Sequence, residues 1–233
     1  MIKAILMDFN GVVIDDEPIQ HSIYKEILAA DGIEVSDEEY YSRLGMDDKT
    51  FVASFLTAAG KGADIDRVLE LTSLKTQKWR EAIEADVPLF PGIENFIRKM
   101  ANDFALGIVS MSKREEIDFV LEKTGLADRF SAFVCAEDVG ECKPDPECYR
   151  KGFEMIDLSR IAQGHLPMTH SECLVIEDSP PGVAAGKAAD LPVLGVANTV
   201  SADDLRKAGA DWVATNLDDW FPASIRQTFS AKV

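Results

Sequence analysis

The chain has 233 residues, 46% of them hydrophobic, which suits one sizeable domain or a large domain carrying a smaller one. Its 41 acidic against 24 basic side chains give a formal net charge of −17, a field that repels nucleic acid and anionic membranes, so neither is expected as a partner and an anionic substrate must be met by a local cation. No apolar run approaches the ~20 residues that span a bilayer, no charged-then-apolar leader precedes Asp8, and Cys135, Cys142, Cys148 and Cys173 show no CxxC spacing; together these point to a soluble protein in a reducing, cytoplasmic home.

The first element is the apolar run Ile2-Lys3-Ala4-Ile5-Leu6, expected as a buried strand that delivers Asp8 to a turn at Asn10-Gly11. Ligands of open α/β sheets collect outside the carboxyl ends of the strands, and a tight turn lets backbone N–H groups face an anion there. Taken alone, Asp8 reads equally well as a local turn-forming residue. Residues 16 to 86 then carry helical spacing: Ile19, Ile23, Ile27 and Leu28, next Phe51, Phe55 and Leu56, next Val68, Leu69, Leu71 and Leu74, with no strand among them. From Pro88 onward, short apolar runs at residues 104–109, 132–134, 173–176, 192–196 and 212–214 alternate with amphipathic stretches, the pattern of βα units feeding a parallel sheet. The segment Ile161 to His170 reads as a long surface loop. The expected fold is therefore α/β, a Rossmann-like parallel sheet core with an inserted α-helical cap domain. Its parts are residues 1–15 (first strand), 16–86 (helical cap) and 87–233 (the remaining α/β core), and the two chain crossings between cap and core make a natural hinge.

Three further polar clusters fall at or after strand ends. Ser110-Met111-Ser112 follows the second strand, Lys143-Pro144 follows the third, and Glu177-Asp178-Ser179 closes the fourth. Each has an ordinary explanation as a helix cap, a surface lysine or a turn. Convergence weighs against that, because parallel strands present all their C-terminal ends on one edge. A carboxylate approaching a phosphate dianion meets repulsion of about 4 kcal/mol per unit charge pair at ~4 Å and an effective dielectric near ~20, so a cation must offset it. Asp8, Asp178 and Glu177 supply hard oxygens suited to Mg²⁺, and Lys143 adds a point charge. Such a site would orient a phosphoryl group while an Asp8 oxygen attacks phosphorus in line.

These residues together resemble the haloacid dehalogenase superfamily of phosphotransferases, in the branch with a helical cap after the first strand that includes β-phosphoglucomutase-like phosphatases. The likeness covers essentially the whole chain. It implies that Asp8 is the nucleophile, that Ser110 and Lys143 hold the phosphoryl group, and that Asp178, with Glu177, serves Mg²⁺. On this resemblance the candidate catalytic residues are Asp8, Asn10 and Lys143; the substrate-binding residues are Gly11, Ser110, Met111, Ser112, Lys113 and Lys143; and the metal ligands are Asp8, Asn10 (through its backbone carbonyl), Glu177 and Asp178. The expected ligand is a small phosphorylated metabolite, and the sequence sets no oligomeric state.

One departure stands out. The second Asp of the family's Asp-x-Asp-Gly motif, the general acid and base, is Asn10 here. Asn carries no transferable proton, and loss of positioned acid–base catalysis typically costs ~10²–10⁴-fold in rate. Three accounts stand open: an introduced substitution that traps a complex, a natural feature of a slow or specialised hydrolase, or the mark of a catalytically silent phosphate-ligand binder. The branch's sugar-phosphate mutases place a His and an Arg on the cap where this chain has Gln20 and Asp48, which disfavours a phosphomutase; His21 and Lys49 each stand one residue away. The turn Leu44-Gly45-Met46-Asp47-Asp48 is the candidate specificity loop, while Phe51, Phe55 and Trp79 are expected to pack the cap.

Overall fold

A computed structural model describes residues 1–230 of the chain. Six parallel strands form one sheet: β1 (Ala4–Met7), β2 (Ala105–Val109), β3 (Ala132–Val134), β4 (Cys173–Glu177), β5 (Val193–Val196) and β6 (Trp212–Ala214), in the order β3-β2-β1-β4-β5-β6. The central strands β1 and β4 are buried along their whole length, as expected of a parallel sheet covered on both faces. Four helices follow β1 directly: α1 (Glu17–Ala29), α2 (Asp37–Tyr41), α3 (Asp48–Ala58) and α4 (Ile65–Ile83). The remainder, α5 (Ile93–Ala101), α6 (Arg114–Thr124), α7 (Glu147–Ala162), α8 (Pro180–Ala188), α9 (Ala202–Ala208) and α10 (Pro222–Thr228), alternate with the strands of the core. Because α7 runs on to Ala162, the loop before β4 is shorter than the sequence suggests.

Strand order decides where chemistry can occur. Met7 of β1 pairs with Ile108 of β2 on one side and Ile176 of β4 on the other, so the residues after each strand emerge side by side. From β1 the chain winds outward in opposite directions, which opens a crevice at the carboxyl ends between β1 and β4. The two links to the helical insertion run together: the Asp15 N–H donates to Pro88 O at 2.6 Å, the Phe90 N–H to Val13 O at 3.3 Å, and Ile14 lies antiparallel to Leu89. No helix among the described residues is long and apolar enough to cross a membrane.

The insertion is helical as expected, but one face differs. In α4, Leu69 and Leu74 are exposed, and the buried stripe is Val68, Leu71, Thr72, Lys75, Trp79 and Ile83. Two polar residues occupy that stripe: Thr72, whose Oγ1 donates back to Leu69 O at 3.2 Å within the helix, and Lys75, which meets carboxylates from two other elements. Lys75 Nζ lies 3.1 Å from Asp48 Oδ1 at the start of α3 and 3.3 Å from Glu116 Oε1 in the core helix α6. Burial works against the Lys75 ammonium, yet the Asp48 and Glu116 carboxylates outweigh it and hold its pKa above the usual lysine range. Thr76 Oγ1 donates to Glu116 Oε1 at 2.9 Å, and Lys113 Nζ donates to Thr76 Oγ1 at 2.7 Å. Buried charge thus docks the cap against the core beside the crevice.

Candidate active site

Gly11 shapes the floor. Its φ of +72° is the left-handed conformation that favours glycine, and a Cβ there would lie 1.9 Å from Asp178 Oδ2, so only glycine lets the first turn approach the end of β4 this closely. Its N–H donates to Ile14 O at 2.9 Å within the turn; Gly11 therefore contributes close approach, and its amide is engaged. Gly182 in α8 plays the same part behind Glu177, whose carboxylate would be 1.9 Å from a Cβ.

Asp8 sits at the centre, 9% exposed. Its Oδ1 accepts the Phe9 N–H at 2.8 Å and lies 3.0 Å from Lys143 Nζ, so both fixed contacts fall on one oxygen. Lys143 is buried and reaches Glu177 Oε1 at 2.7 Å and Val109 O at 3.4 Å as well, which employs all three of its N–H bonds. Burial pushes the Asp8 carboxyl up to about 7, against the pull of the Lys143 ammonium, with the Glu177 charge adding to the rise. Burial, followed by the charges of Glu177 and Asp8, raises the Asp178 carboxyl well above the ordinary range.

Asp8, Glu177 and Asp178 each place a carboxylate oxygen within 4.8 Å of the others. That donor set, all hard oxygen with one lysine nearby, fits a divalent cation such as Mg²⁺. The three are not equivalent. Glu177 is fully buried: its Oε1 accepts from Lys143 Nζ and Tyr149 Oη (2.7 Å each), and its Oε2 from the Asp178 N–H, the Ser179 N–H and Ser179 Oγ (3.1, 3.3 and 3.1 Å). Both Glu177 oxygens are thus engaged by donors of the chain itself, while its carboxylate remains within 4.8 Å of those of Asp8 and Asp178. Asp8 and Asp178 carry no such load.

Asn10 is held on both sides. Its Nδ2 donates to both oxygens of Asp16 at 3.0 Å, and its Oδ1 accepts from Ser112 Oγ at 2.5 Å and Ser110 Oγ at 3.4 Å. Asp16 is completely buried and is held by neutral donors, accepting also from Trp79 Nε1 at 2.7 Å and Gln20 Nε2 at 2.9 Å. Burial raises its carboxyl above the ordinary range, opposed by those hydrogen bonds.

Of the residues expected from sequence, Asp8, Asn10, Ser110, Met111, Ser112, Lys143 and Asp178 line one pocket, with Leu44, Gly45, Met46 and Asp48 of the specificity loop facing them. Lys113 is directed to α4 and lines a neighbouring depression together with the exposed Lys49. His21 stacks on Tyr40 at 4.3 Å between ring centroids, outside the pocket lining. Sequence reasoning missed Asp16, Glu17, Tyr24, Tyr40 and Tyr149. The run Asp15-Asp16-Glu17 ahead of Pro18 was the available signal, since consecutive acids at a domain crossing have no need to be buried unless something holds them.

Comparison with known proteins agrees with this geometry. Residues 2–190 match the haloacid dehalogenase-like hydrolase family. Protein CbbY of Rhodobacter capsulatus is 28% identical over 225 residues, covering 93% of this chain and 94% of that protein. Validoxylamine A 7'-phosphate phosphatase of Streptomyces hygroscopicus subsp. limoneus is 24% identical over 208 residues, covering 89% and 92%. The crystal structure of β-phosphoglucomutase from Clostridium difficile superposes with a TM-score of 0.83 at 21% identity, covering 98% and 97%, which establishes the shared fold. The chain belongs to the haloacid dehalogenase-like hydrolases.

Proposed function

We propose that this hydrolase is a Mg²⁺-dependent phosphatase that cleaves a small phosphorylated metabolite through an aspartyl-phosphate on Asp8. The observation that carries the reading is the state of Asp8: one oxygen is pinned by Lys143 and the Phe9 N–H, and the carboxylate sits beside Asp178 at the switch point of the sheet. Oδ2 is the attacking atom. It forms the new bond to phosphorus, and the bond from phosphorus to the substrate oxygen breaks in line with it. Lys143 offsets charge on the phosphoryl oxygens, and Ser110 and Ser112, whose hydroxyls now rest on Asn10, offer neutral donors. Asp8, Asp178 and the Asn10 backbone carbonyl would hold the Mg²⁺, which supplies charge neutralisation for the phosphoryl group when bound. Glu177 keeps Lys143 in place.

Asn10 gives the leaving oxygen no proton, so that proton comes from water, and water attacks the aspartyl-phosphate without a positioned base. A slow enzyme is the expected result. The phosphatase activity named for the validoxylamine relative supports hydrolysis over transfer, and Gln20 and Asp48 on the cap weigh against a mutase. Mg²⁺-dependent phosphate release from a panel of phosphomonoesters tests the reading. Release by the native chain that Asp8→Asn abolishes supports it. Tight phosphate-ester binding with no release, in the native chain and in every variant that carries a carboxylate at position 10, makes the chain a binder and ends the phosphatase reading.

A further inference from the structure

The cap meets the core at a second seam, beside Lys143. Asp47, the residue ahead of α3, touches Cys142, which lies 95 residues further on in the core segment that leads from β3 to Lys143. The contact is reciprocal: the Asp47 N–H donates to Cys142 Sγ at 3.4 Å, and the thiol donates to Asp47 Oδ2 at 3.0 Å. Asp47 is itself fixed as the N-cap of α3, with Oδ1 accepting the Lys49 and Thr50 N–H groups at 2.8 and 3.0 Å and Oδ2 accepting from Thr50 Oγ1 at 3.0 Å. Burial works against the Asp47 carboxylate, yet the hydrogen bonds from Cys142, Thr50 and Lys49 hold its pKa below the ordinary range. Burial, followed by the bond to Asp47, raises the Cys142 thiol, so the sulfur keeps the proton it donates.

Gly45 brings the same loop down onto the core. Its φ of +84° is in the left-handed region that favours glycine, and a Cβ there would lie 2.9 Å from Pro181 Cγ and 3.1 Å from Lys143 Cβ. The loop backbone therefore rests on the stem of the lysine that meets Asp8. Leu44, Gly45 and Met46 line the pocket together with Lys143. Two adjacent residues of one core segment thus face the two ends of a ligand: Lys143 faces the phosphoryl group, and Cys142, through Asp47, holds the loop that meets the leaving group.

We infer that Cys142 is a positioning residue for leaving-group recognition: its bond to Asp47 seats Leu44-Gly45-Met46 over the pocket, in register with the phosphoryl group at Lys143. For its effect on rate the inference rests on the phosphatase reading of the Asp8 site, and it adds to that reading a residue that touches neither the phosphoryl group nor the metal. A cap joined to the core by two crossings can rock about them, and each contact made only when the loop is down raises the population of the seated form. A hydrogen bond to a charged group is among the stronger ones, so the thiol and the carboxylate hold the loop as a pair. Substrates then feel its loss unequally. A leaving group that reaches the loop loses its orienting contacts when the loop lifts, whereas one that ends short of the loop does not.

Substrates of two sizes separate positioning of the loop from mere support of Lys143: acetyl phosphate, whose acetate stays near the phosphoryl end, and the faster of glucose 6-phosphate and ribose 5-phosphate. For the sugar phosphate, kcat/KM of Mg²⁺-dependent release is expected to fall about fivefold or more in Cys142→Ala and in Asp47→Ser, which keeps an N-cap oxygen for α3. Cys142→Ser retains a donor and an acceptor and should restore it to within about twofold of native, while acetyl phosphate should change by less than about twofold throughout. The double variant should be no worse than either single one, because both remove the same contact. An equal loss on both kinds of substrate, an unchanged Cys142→Ala, or a Cys142→Ser as impaired as Cys142→Ala overturns the inference. Thiol labelling reads the same contact without turnover. Cys135, Cys148 and Cys173 are buried, so iodoacetamide on the folded chain reports Cys142, mapped by peptide mass. Its rate constant, extrapolated to full ionisation of the thiol, should rise about fivefold or more in Asp47→Ser, and a rate independent of position 47 overturns the inference whatever the kinetics. Release from none of the three substrates by the native chain removes the phosphatase reading, and wherever no sugar phosphate is turned over the labelling rate decides the inference by itself.

Discussion

Asn10 and Asp16 are a matched pair, and separating them should be costly. The Asn10 amide lies 3.0 Å from both Asp16 oxygens in a site where Asp16 is completely buried. Asn10→Asp alone replaces that amide by an oxygen and sets two carboxylates ~3 Å apart, a repulsion of about 5 kcal/mol at an effective dielectric near ~20. Against a total stability of ~5–15 kcal/mol this is large, and in a chain of this size it corresponds to roughly 10–20 °C in Tm. The pair can relieve it by holding one proton. The folded-state pKa of that pair is then above its unfolded value, so the stability is present at low pH and lost as pH rises through the folded pKa. Asn10→Asp should therefore melt well below the native chain at pH 8 and approach it at pH 5. The exchange Asn10→Asp with Asp16→Asn keeps one amide facing one carboxylate and should melt close to native at both values. It also puts a carboxylate where the family keeps its acid and base, so its phosphate release should exceed native by ~100-fold. The assay is thermal melting of native, both single variants and the exchange at two pH values, with phosphate release on the same samples. If Asn10→Asp and the exchange melt alike at pH 8, with a coupling between the sites below about 0.5 kcal/mol, the pairing has no energetic consequence and the reasoning fails.

Further outcomes follow from the same geometry. Mg²⁺ relieves a cluster of three carboxylates with one lysine, so it should stabilise the fold by about 2.7 kcal/mol at a hundredfold excess over its Kd, seen as a concentration-dependent rise in Tm; Asp178→Asn should abolish the shift, and an equal shift in that variant would remove Asp178 as a ligand. Burial, with the Asp16 charge adding, pushes the Glu17 carboxyl up to about 7 from an ordinary value near 4.5. Its stabilising effect is present below that ordinary value and is lost as pH rises through about 7, so Glu17→Gln should flatten the fall in Tm between pH 5 and pH 8, measured without metal. Lys75→Met leaves Asp48 and Glu116 buried without their shared cation and should cost ~3–5 kcal/mol in denaturant unfolding; a loss under about 1 kcal/mol would show that the ion cluster does not hold the cap.

Much of the fold was legible because burial on both faces of a parallel sheet leaves continuous apolar runs, and those runs located β1, β2, β4 and β5 directly. The meeting of Asp8, Ser110, Lys143 and Asp178 was legible for a topological reason: each lies after or at the end of a parallel strand or on the loop that follows it, and all such ends share one edge. What periodicity could not show is charge placed on a buried face. Lys75 and Thr72 occupy the inner stripe of α4, while Leu69 and Leu74 point outward, because Glu116, 41 residues further on, receives the lysine. Long-range pairing of that kind leaves no repeat in the sequence. The Asn10–Asp16 contact and the five donors gathered on Glu177 were hidden likewise, since both depend on how the first turn and β4 are brought together rather than on residue spacing.

The central claim is that Asp8 carries the phosphoryl group. Rapid acid quench of the native chain with Mg²⁺ and a turned-over phosphomonoester, followed by peptide mass mapping, tests it most directly. The account predicts the added mass of one phosphoryl group on the peptide containing Asp8, absent in Asp8→Asn. A phosphoryl group on a different residue, or steady phosphate release by Asp8→Asn, would contradict it.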